Sequence, residues 1–320
     1  MWTRLFVALL IALPLAARTA PAQDYPTRTI TLVVPFPAGG GVDAMGRIVA
    51  ERLTAALGQQ VIVDNRGGAA GVIGTRGAVK AAPDGYTLVM ATSGTTTINP
   101  SLYANPGYAP LKDFVPIGLV AETPIVLMAH PSFPPKTVAE VIAYAKTNKL
   151  DGGTPPPGTE NYLAAELFKS TTGIDMTIVT YKGTGPLTND LVGGHVPLAF
   201  NTLAPALGNL QAGTLRAIAV ASRARSSLLP DVPTASESGL PGFEATVRYG
   251  VLAPAGTPRP IIERINKELR AMGSSDEARK SIAAQGSDSV SSSPEEYAAE
   301  IEVGLAKWAV LIKKLGLKMD

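Results

Sequence analysis

The stretch from Ile30 to Ala44, ITLVVPFPAGGGVDA, constrains the fold more than any other. Apolar and β-branched residues run into Pro35-Phe36-Pro37, glycines follow at 39, 40 and 41, and a helical pattern starts behind them. Strand, glycine turn and helix in that order bring free backbone N–H groups to one point. The first turn of a helix leaves its amides unpaired, and glycine lets the chain pass close to a ligand. The stretch predicts a cradle for a small anion, with a carboxylate as the expected occupant. Gly39 to Ala44 also satisfies G-x-G-x-x-A, the dinucleotide fingerprint, with Asp64 about 20 residues on. Pro35 and Pro37 count against that reading, because the fingerprint follows its strand directly. Three glycines making only a tight turn is the plainer alternative. A Walker phosphate loop is excluded, since no Gly-Lys-Ser/Thr follows.

Ahead of this stretch lies an export signal. Arg4 gives a positive n-region, Leu5 to Ala17 an apolar h-region interrupted by Pro14, and Ala20-Pro21-Ala22 an A-x-A cleavage signature. Residues 1–22 therefore read as a cleaved secretory signal, and the periplasm as the destination. The apolar run is shorter than the roughly 20 residues that span a bilayer. No twin arginine is present, so export in the unfolded state is expected, away from any nicotinamide pool. The chain has no cysteine, which removes disulfides, thiolate metal sites and lipid attachment near the cleavage site. Its 28 basic residues fall to 26 when Arg4 and Arg18 leave with the signal, matching the 26 acidic ones. A neutral mature chain argues against a nucleic-acid or membrane-surface partner.

Beyond the glycine turn, Asp43 to Leu57 has helical spacing closed by Gly58, and Val61 to Val63 is a short strand. Ala69 to Ala82 reads as a helix packed closely enough to need small residues. Pro83-Asp84-Gly85 is a turn, Tyr86 to Ala91 a strand, and Thr92 to Thr97 a polar loop. This βαβαβ order predicts a parallel sheet with ligands at the carboxyl ends of its strands. Val115 to Met128 holds two apolar runs with Glu122-Thr123-Pro124 between them, and Thr137 to Glu140 is a capping box. The pattern then restarts. Gly152 to Thr159 is a second turn rich in glycine, proline and hydroxyls, leading into a helix from Glu160 to Thr172. Strands are expected over Met176–Tyr181, His195–Phe200 and Leu215–Ser222, with a helix starting from Lys182-Gly183. Arg248 to Pro254 reads as a strand, followed by helices over 258–272, 276–285 and 293–315. Ser293, Pro294 and Glu296 supply N-cap, N1 and N3 of the last. Two such α/β units with a helical tail predict two lobes, the first taking the amino-terminal part and the terminal helices.

Ser93, Thr95, Thr154 and Thr159 lie in loops that α/β logic turns toward one crevice, where a hydroxyl donates to a carboxylate or caps its own helix. Tyr162, Tyr181 and Phe200 are candidate cleft walls. Asp43 suits the positive end of its helix, and Asp190 a ligand ammonium or hydroxyl. Catalysis has thin support. His130 and His195 are far apart and lack metal-ligand spacing, and no G-x-S-x-G elbow occurs.

Taken in order, these motifs resemble the periplasmic solute-binding proteins of tripartite tricarboxylate transporters, the Bug family. The markers are Tyr25-Pro26, the run from Pro35 to Asp43, Asp64 to Ala69, Pro83 to Leu88 and Lys112-Asp113-Phe114. Tyr181-Lys182-Gly183, Arg216 to Val220, Pro230 to Thr234 and Ala253 to Pro258 complete them. The resemblance covers essentially the whole mature chain. It implies a two-lobed periplasmic binding protein of type II, each lobe a mostly parallel sheet flanked by helices, with two crossing strands as the hinge. The implied lobes are 23–123 with 248–320, and 124–247. The expected ligand set is Phe36, Pro37, Ala38, Gly39, Gly40, Asp43, Ser93 and Thr95 from the first lobe. Thr154, Pro157, Gly158, Thr159, Tyr181, Lys182, Gly183 and Asn201 come from the second.

The resemblance implies a monomer that captures a small carboxylate, with neither cofactor nor metal, and hands it to membrane permease subunits. A dicarboxylate, tricarboxylate, aromatic acid or acidic amino acid would each suit. Two departures fall where ligand side chains would be read. The second-lobe loop is Gly153-Thr154-Pro155-Pro156-Pro157-Gly158-Thr159 ending in Tyr162-Leu163, where the family has a glycine- and serine-rich loop ending in histidine-leucine. Arg248-Tyr249 stands where a tryptophan is common. An exported sensor for a signalling partner, or an exported enzyme acting on a carboxylate through His195 or Asp190, are the alternatives.

Overall fold

The computed structural model describes residues 25–319. The export signal read at 1–22 lies outside the described residues. The chain forms β1 (Ile30–Val34), α1 (Gly41–Leu57), β2 (Val61–Asn65), α2 (Val72–Ala78), β3 (Thr87–Thr92), α3 (Asn99–Leu102) and α4 (Pro110–Asp113). The long β4 (Phe114–Ala129) follows, then α5 (Val138–Ala145), β5 (Asp151–Thr154), α6 (Glu160–Thr172), β6 (Thr177–Thr180) and α7 (Thr184–Val192). After these come β7 (Leu198–Thr202), α8 (Leu207–Gln211), β8 (Arg216–Val220), β9 (Thr246–Pro254), α9 (Arg259–Ser274), α10 (Asp276–Ala284), β10 (Asp288–Ser289) and α11 (Pro294–Leu315).

Strands pair in the order β2-β1-β3-β9-β4-β7-β5-β6. The first lobe is built on β1 with β2 and β3 parallel on either side. The second is built on β5, flanked in parallel by β6 and β7. The antiparallel strands β4 and β9 join the two. Residues Phe114 to Pro124 of β4 pair with β9, and Ile125 to Ala129 pair with β7 and β8. Glu122-Thr123-Pro124, which separates the two apolar runs, lies inside one continuous strand. Pro124 has no N–H to give a ladder, and it stands at the residue where β4 exchanges β9 for β7. The chain is thus the two-lobed α/β architecture that its motifs predict.

Further segments differ from expectation. Thr92 to Thr97 is no open loop: a wide helical turn over Gly94–Ile98 runs straight into α3. Thr96 and Thr97 donate their hydroxyls to the carbonyls of Thr92 and Ser93, at 3.0 and 2.7 Å, so the buried polar side chains close the turn themselves. Gly152 and Gly153 are strand, not turn. A Cβ on Gly153 would meet Leu187 Cδ1 at 2.4 Å, so the small residues let α7 lie on the sheet. The capping box at Thr137 is displaced by one residue: Glu140 accepts from the Lys136 amide at 2.7 Å, not from that of Thr137. The one on α11 is complete.

The helix α11 spans both lobes. Tyr297 and Ile301 pack with Val89, Ala91 and Leu252 of the first-lobe sheet. Trp308, Leu311 and Ile312 join the core that holds Leu127, Phe168 and Phe200.

Candidate functional site

The glycine turn after β1 is held from beneath. Pro35 is buried and Phe36 half-buried, while residues 37–40 are exposed. Asn65, at the end of β2, donates through Nδ2 to the Phe36 carbonyl at 3.1 Å and to Asp43 Oδ1 at 3.0 Å. Asp43 Oδ2 accepts the Gly39 amide at 2.9 Å and Arg47 Nε at 3.0 Å. Burial alone would raise the Asp43 carboxyl, but the bonds from Arg47, Gly39 and Asn65 outweigh it and hold the group below its ordinary range. Asp43 therefore faces its own backbone and fixes the turn. Gly39 takes φ +84°, a conformation that favours glycine, and no side chain caps Gly40. The first-turn amides of α1 beyond Gly39 point out of the helix end with its positive dipole.

At the end of β3, Ser93 meets the second lobe. Its Oγ donates to Glu160 Oε1 at 2.8 Å and lies 3.2 Å from the Thr246 carbonyl, while the Arg248 amide donates to it at 3.1 Å. Glu160 is the first residue of α6 and is buried, which raises its carboxyl, although Ser93 and the amides of Glu160 and Gly94 act in the opposite direction. Tyr249, on the returning strand β9, completes the junction. A Cβ on Gly41 would lie 3.5 Å from its hydroxyl. Burial pushes that phenol up to about 12, the Thr123 hydroxyl working against the shift and the Glu160 charge adding to it.

The remaining expected residues divide by what their side chains already do. Thr95 is fully buried, and its hydroxyl is engaged with the Thr92 backbone. Thr154 is also buried and donates to the Pro155 carbonyl at 2.9 Å. Thr159 caps α6, accepting from the Tyr162 amide at 3.3 Å. Asn201 is buried on β7 and donates to Thr188 Oγ1 at 2.9 Å, which anchors α7. Gly158 takes φ +91°, and a Cβ there would come within 3.1 Å of Leu102 Cδ2, so the second-lobe loop closes on α3 of the first lobe. Pro157 and Lys182 are exposed. Tyr181 anchors its turn through its amide to the Thr154 carbonyl at 2.9 Å, and burial and Asp190 both raise its phenol. Gly183 heads α7 with no side-chain cap, as Gly40 heads α1. Among the described residues no group of three His, Asp or Glu is placed to hold a metal ion.

Behind the crossing strands lies an ion cluster. Arg248 on β9 contacts Glu122 of β4 at 3.4 Å, Glu244 at 2.5 Å and Glu300 of α11 at 3.2 Å. Arg223 pairs with the last two at 2.9 and 3.0 Å. Lys307 of α11 donates to the Glu244 carbonyl at 2.5 Å.

The profile of the tripartite tricarboxylate transporter family receptor matches residues 45–317. The chain belongs to that family. Its relatives include BugT of Bordetella pertussis, 36% identical over 99% of each chain. Among solved structures, R. palustris Rpa4515 with adipate superposes with a TM-score of 0.80 at 35% identity, covering 92% of this chain and 99% of its own. MatC of Rhodopseudomonas palustris with bound malate gives a TM-score of 0.75 at 31% identity, covering 90% and 100%.

In this family member, Asn65 and Glu160 carry no site assignment from the sequence, and Tyr249 is marked there only as standing where a ligand side chain would be read. Asn65 lies within a quoted family marker, but only the fold carries it to Phe36 and Asp43. Tyr249 comes from a strand more than two hundred residues beyond Gly41. Glu160 had a local signal: it follows the N-cap threonine of a helix whose preceding loop was already assigned to the cleft.

Proposed function

We propose that this chain is an extracytoplasmic solute-binding protein that captures a small carboxylate between its lobes and delivers it to a membrane permease of the tripartite tricarboxylate type. The observation that carries this reading is the uncapped amino end of α1 behind the exposed Gly39–Gly40 turn, braced by Asp43 and Asn65. Amides fixed in place bind an anion without the entropy cost of ordering long side chains. Hydrogen bonds to a charged group contribute roughly 1.5–3 kcal/mol each. Three or four reach micromolar affinity, about −8 kcal/mol, after the costs of closure. Adipate and malate in the solved relatives support a carboxylate as the ligand class. In this reading 23–123 and 248–320 form one lobe, 124–247 the other, and the periplasm is the compartment. The role is capture without turnover.

A thermal-shift screen tests it, using protein unfolded and refolded to strip carried-over ligand. The panel holds aliphatic and aromatic carboxylates, acidic amino acids and a nicotinamide dinucleotide. A ligand at about 100 times its Kd adds roughly 2.7 kcal/mol of stability. A carboxylate that raises the melt and is recovered unchanged supports the reading. A shift with the dinucleotide alone overturns it.

A further inference from the structure

Glu160 narrows the ligand class, and this inference rests on carboxylate capture. Its residue is 7% exposed. Oε1 accepts Ser93 Oγ at 2.8 Å, and the carboxyl lies against the Gly94 position, 3.2 Å from where a Cβ there would sit. At the start of α6, the Glu160 amide and the Gly94 amide act on the same group. These donors are neutral, come from both lobes and converge on one point. No Lys, Arg or His among the described residues forms an ion pair with Glu160. Tyr249 links this point to the glycine turn: its hydroxyl lies beside Gly41 and feels the Glu160 charge.

We propose that Glu160 is a specificity-determining residue: it fills the junction's anion donors with the chain's own carboxylate, so that the cleft takes a monocarboxylate at the Gly39–Gly41 turn and rejects a second carboxylate. A dicarboxylate bound at that turn would bring its far end toward Ser93 and Gly94, whose donors are already engaged. It would also bring a carboxylate against the buried Glu160 carboxyl, which has no cationic partner to offset the repulsion. A neutral or cationic far end meets no such obstacle. Discrimination then comes from what the site repels as much as from what it holds.

Isothermal titration of matched acids decides the matter, with butyrate against succinate, hexanoate against adipate and benzoate against terephthalate. Wild type, Glu160→Gln and Glu160→Ala are compared, each first shown to melt cooperatively. In the pairs that bind, wild type should favour the monocarboxylate by about tenfold or more. Glu160→Ala should shrink or invert that ratio by about tenfold, and the nearly isosteric Glu160→Gln should move it the same way. Should Glu160→Ala fail to fold, the ratio in Glu160→Gln decides. A wild type that prefers the dicarboxylates, or a ratio unchanged within about twofold in the variants, overturns the proposal. Absence of binding by every acid to all three folded proteins is a different result. It overturns this inference, whereas carboxylate capture itself is decided by the wider thermal-shift panel.

Discussion

Asp43 Oδ2 accepts the Gly39 amide at 2.9 Å, four residues back along the chain, and Oδ1 accepts from Asn65 at 3.0 Å. The carboxylate thus ties the start of α1 to the turn before it and to the neighbouring strand. Replacing it with alanine removes three hydrogen bonds from a buried site and should cost about 2–3 kcal/mol, read from urea unfolding. The pH dependence has a definite sign. A carboxyl held low in the folded state contributes stability that is present above its unfolded pKa, about 3.9, and lost as pH falls through the folded value. Wild type should therefore lose more stability than Asp43→Asn between about pH 5 and pH 2. Parallel curves would show that the carboxylate does not brace the turn.

The two glycines of the turn should separate fold from binding. Gly40 has φ −88°, and a Cβ there meets only the Pro37 carbonyl, at 3.8 Å. Gly40→Val should change the melting temperature by less than about 2 °C while blocking approach of an anion to the first-turn amides, with affinity falling at least about tenfold. Gly39 sits at φ +84°, so Gly39→Val should lose about 1–2 kcal/mol of stability as well. A Gly40→Val variant with wild-type affinity would place the anion elsewhere.

Residues that act through their neighbours in sequence were legible, and those that act across the fold were not. The glycine turn, the helix opened by Thr159 and closed by Gly173, and the start of α11 at Ser293 are set by adjacent residues. Their signals survive in a linear reading. The polar run from Thr92 to Thr97 misled because hydroxyls that usually mark a loop here bond carbonyls four residues back and line a buried turn. Gly152-Gly153 misled for the opposite reason: glycine there answers to the bulk of Met176 and Leu187, which only packing brings near. The first-lobe half of the candidate site was read from local pattern. The junction of Ser93, Glu160 and Tyr249 needed both lobes in place.

The complete capping box on α11 gives a local test. Ser293 Oγ accepts from the Glu296 amide at 3.1 Å, and Glu296 accepts from the Ser293 amide at 2.7 Å. Ser293→Ala should cost about 1 kcal/mol, a fall of about 2–4 °C in Tm for a chain of this size. Glu140→Ala, at the displaced box of α5, should cost less, because its partner amide lies outside the helix. Calorimetry on the two variants ranks them, and equal losses would refute the distinction.

Arg248 makes the farthest-reaching prediction. From β9 its side chain pairs with Glu122 of β4 and Glu300 of α11, and with Glu244. Burial raises the Glu122 carboxyl, and the Arg248 charge works against that rise. Glu244 is held low, because Arg248 and Arg223 together outweigh its burial. Replacing Arg248 with methionine keeps the stem and leaves three acids facing one remaining arginine. Stability should fall by roughly 2–4 kcal/mol, less than for a fully buried pair because the cluster is part-exposed. Wild type should also lose more stability than Arg248→Met as salt rises to about 1 M, where screening acts within about 3 Å. Because Glu300 belongs to the helix that packs on both lobes, loss of the cluster should also let them separate further. Small-angle scattering of the ligand-free variant should show a larger radius of gyration than wild type. A stability change below about 0.5 kcal/mol together with an unchanged radius would show that the lobes are positioned by β4, β9 and apolar packing alone.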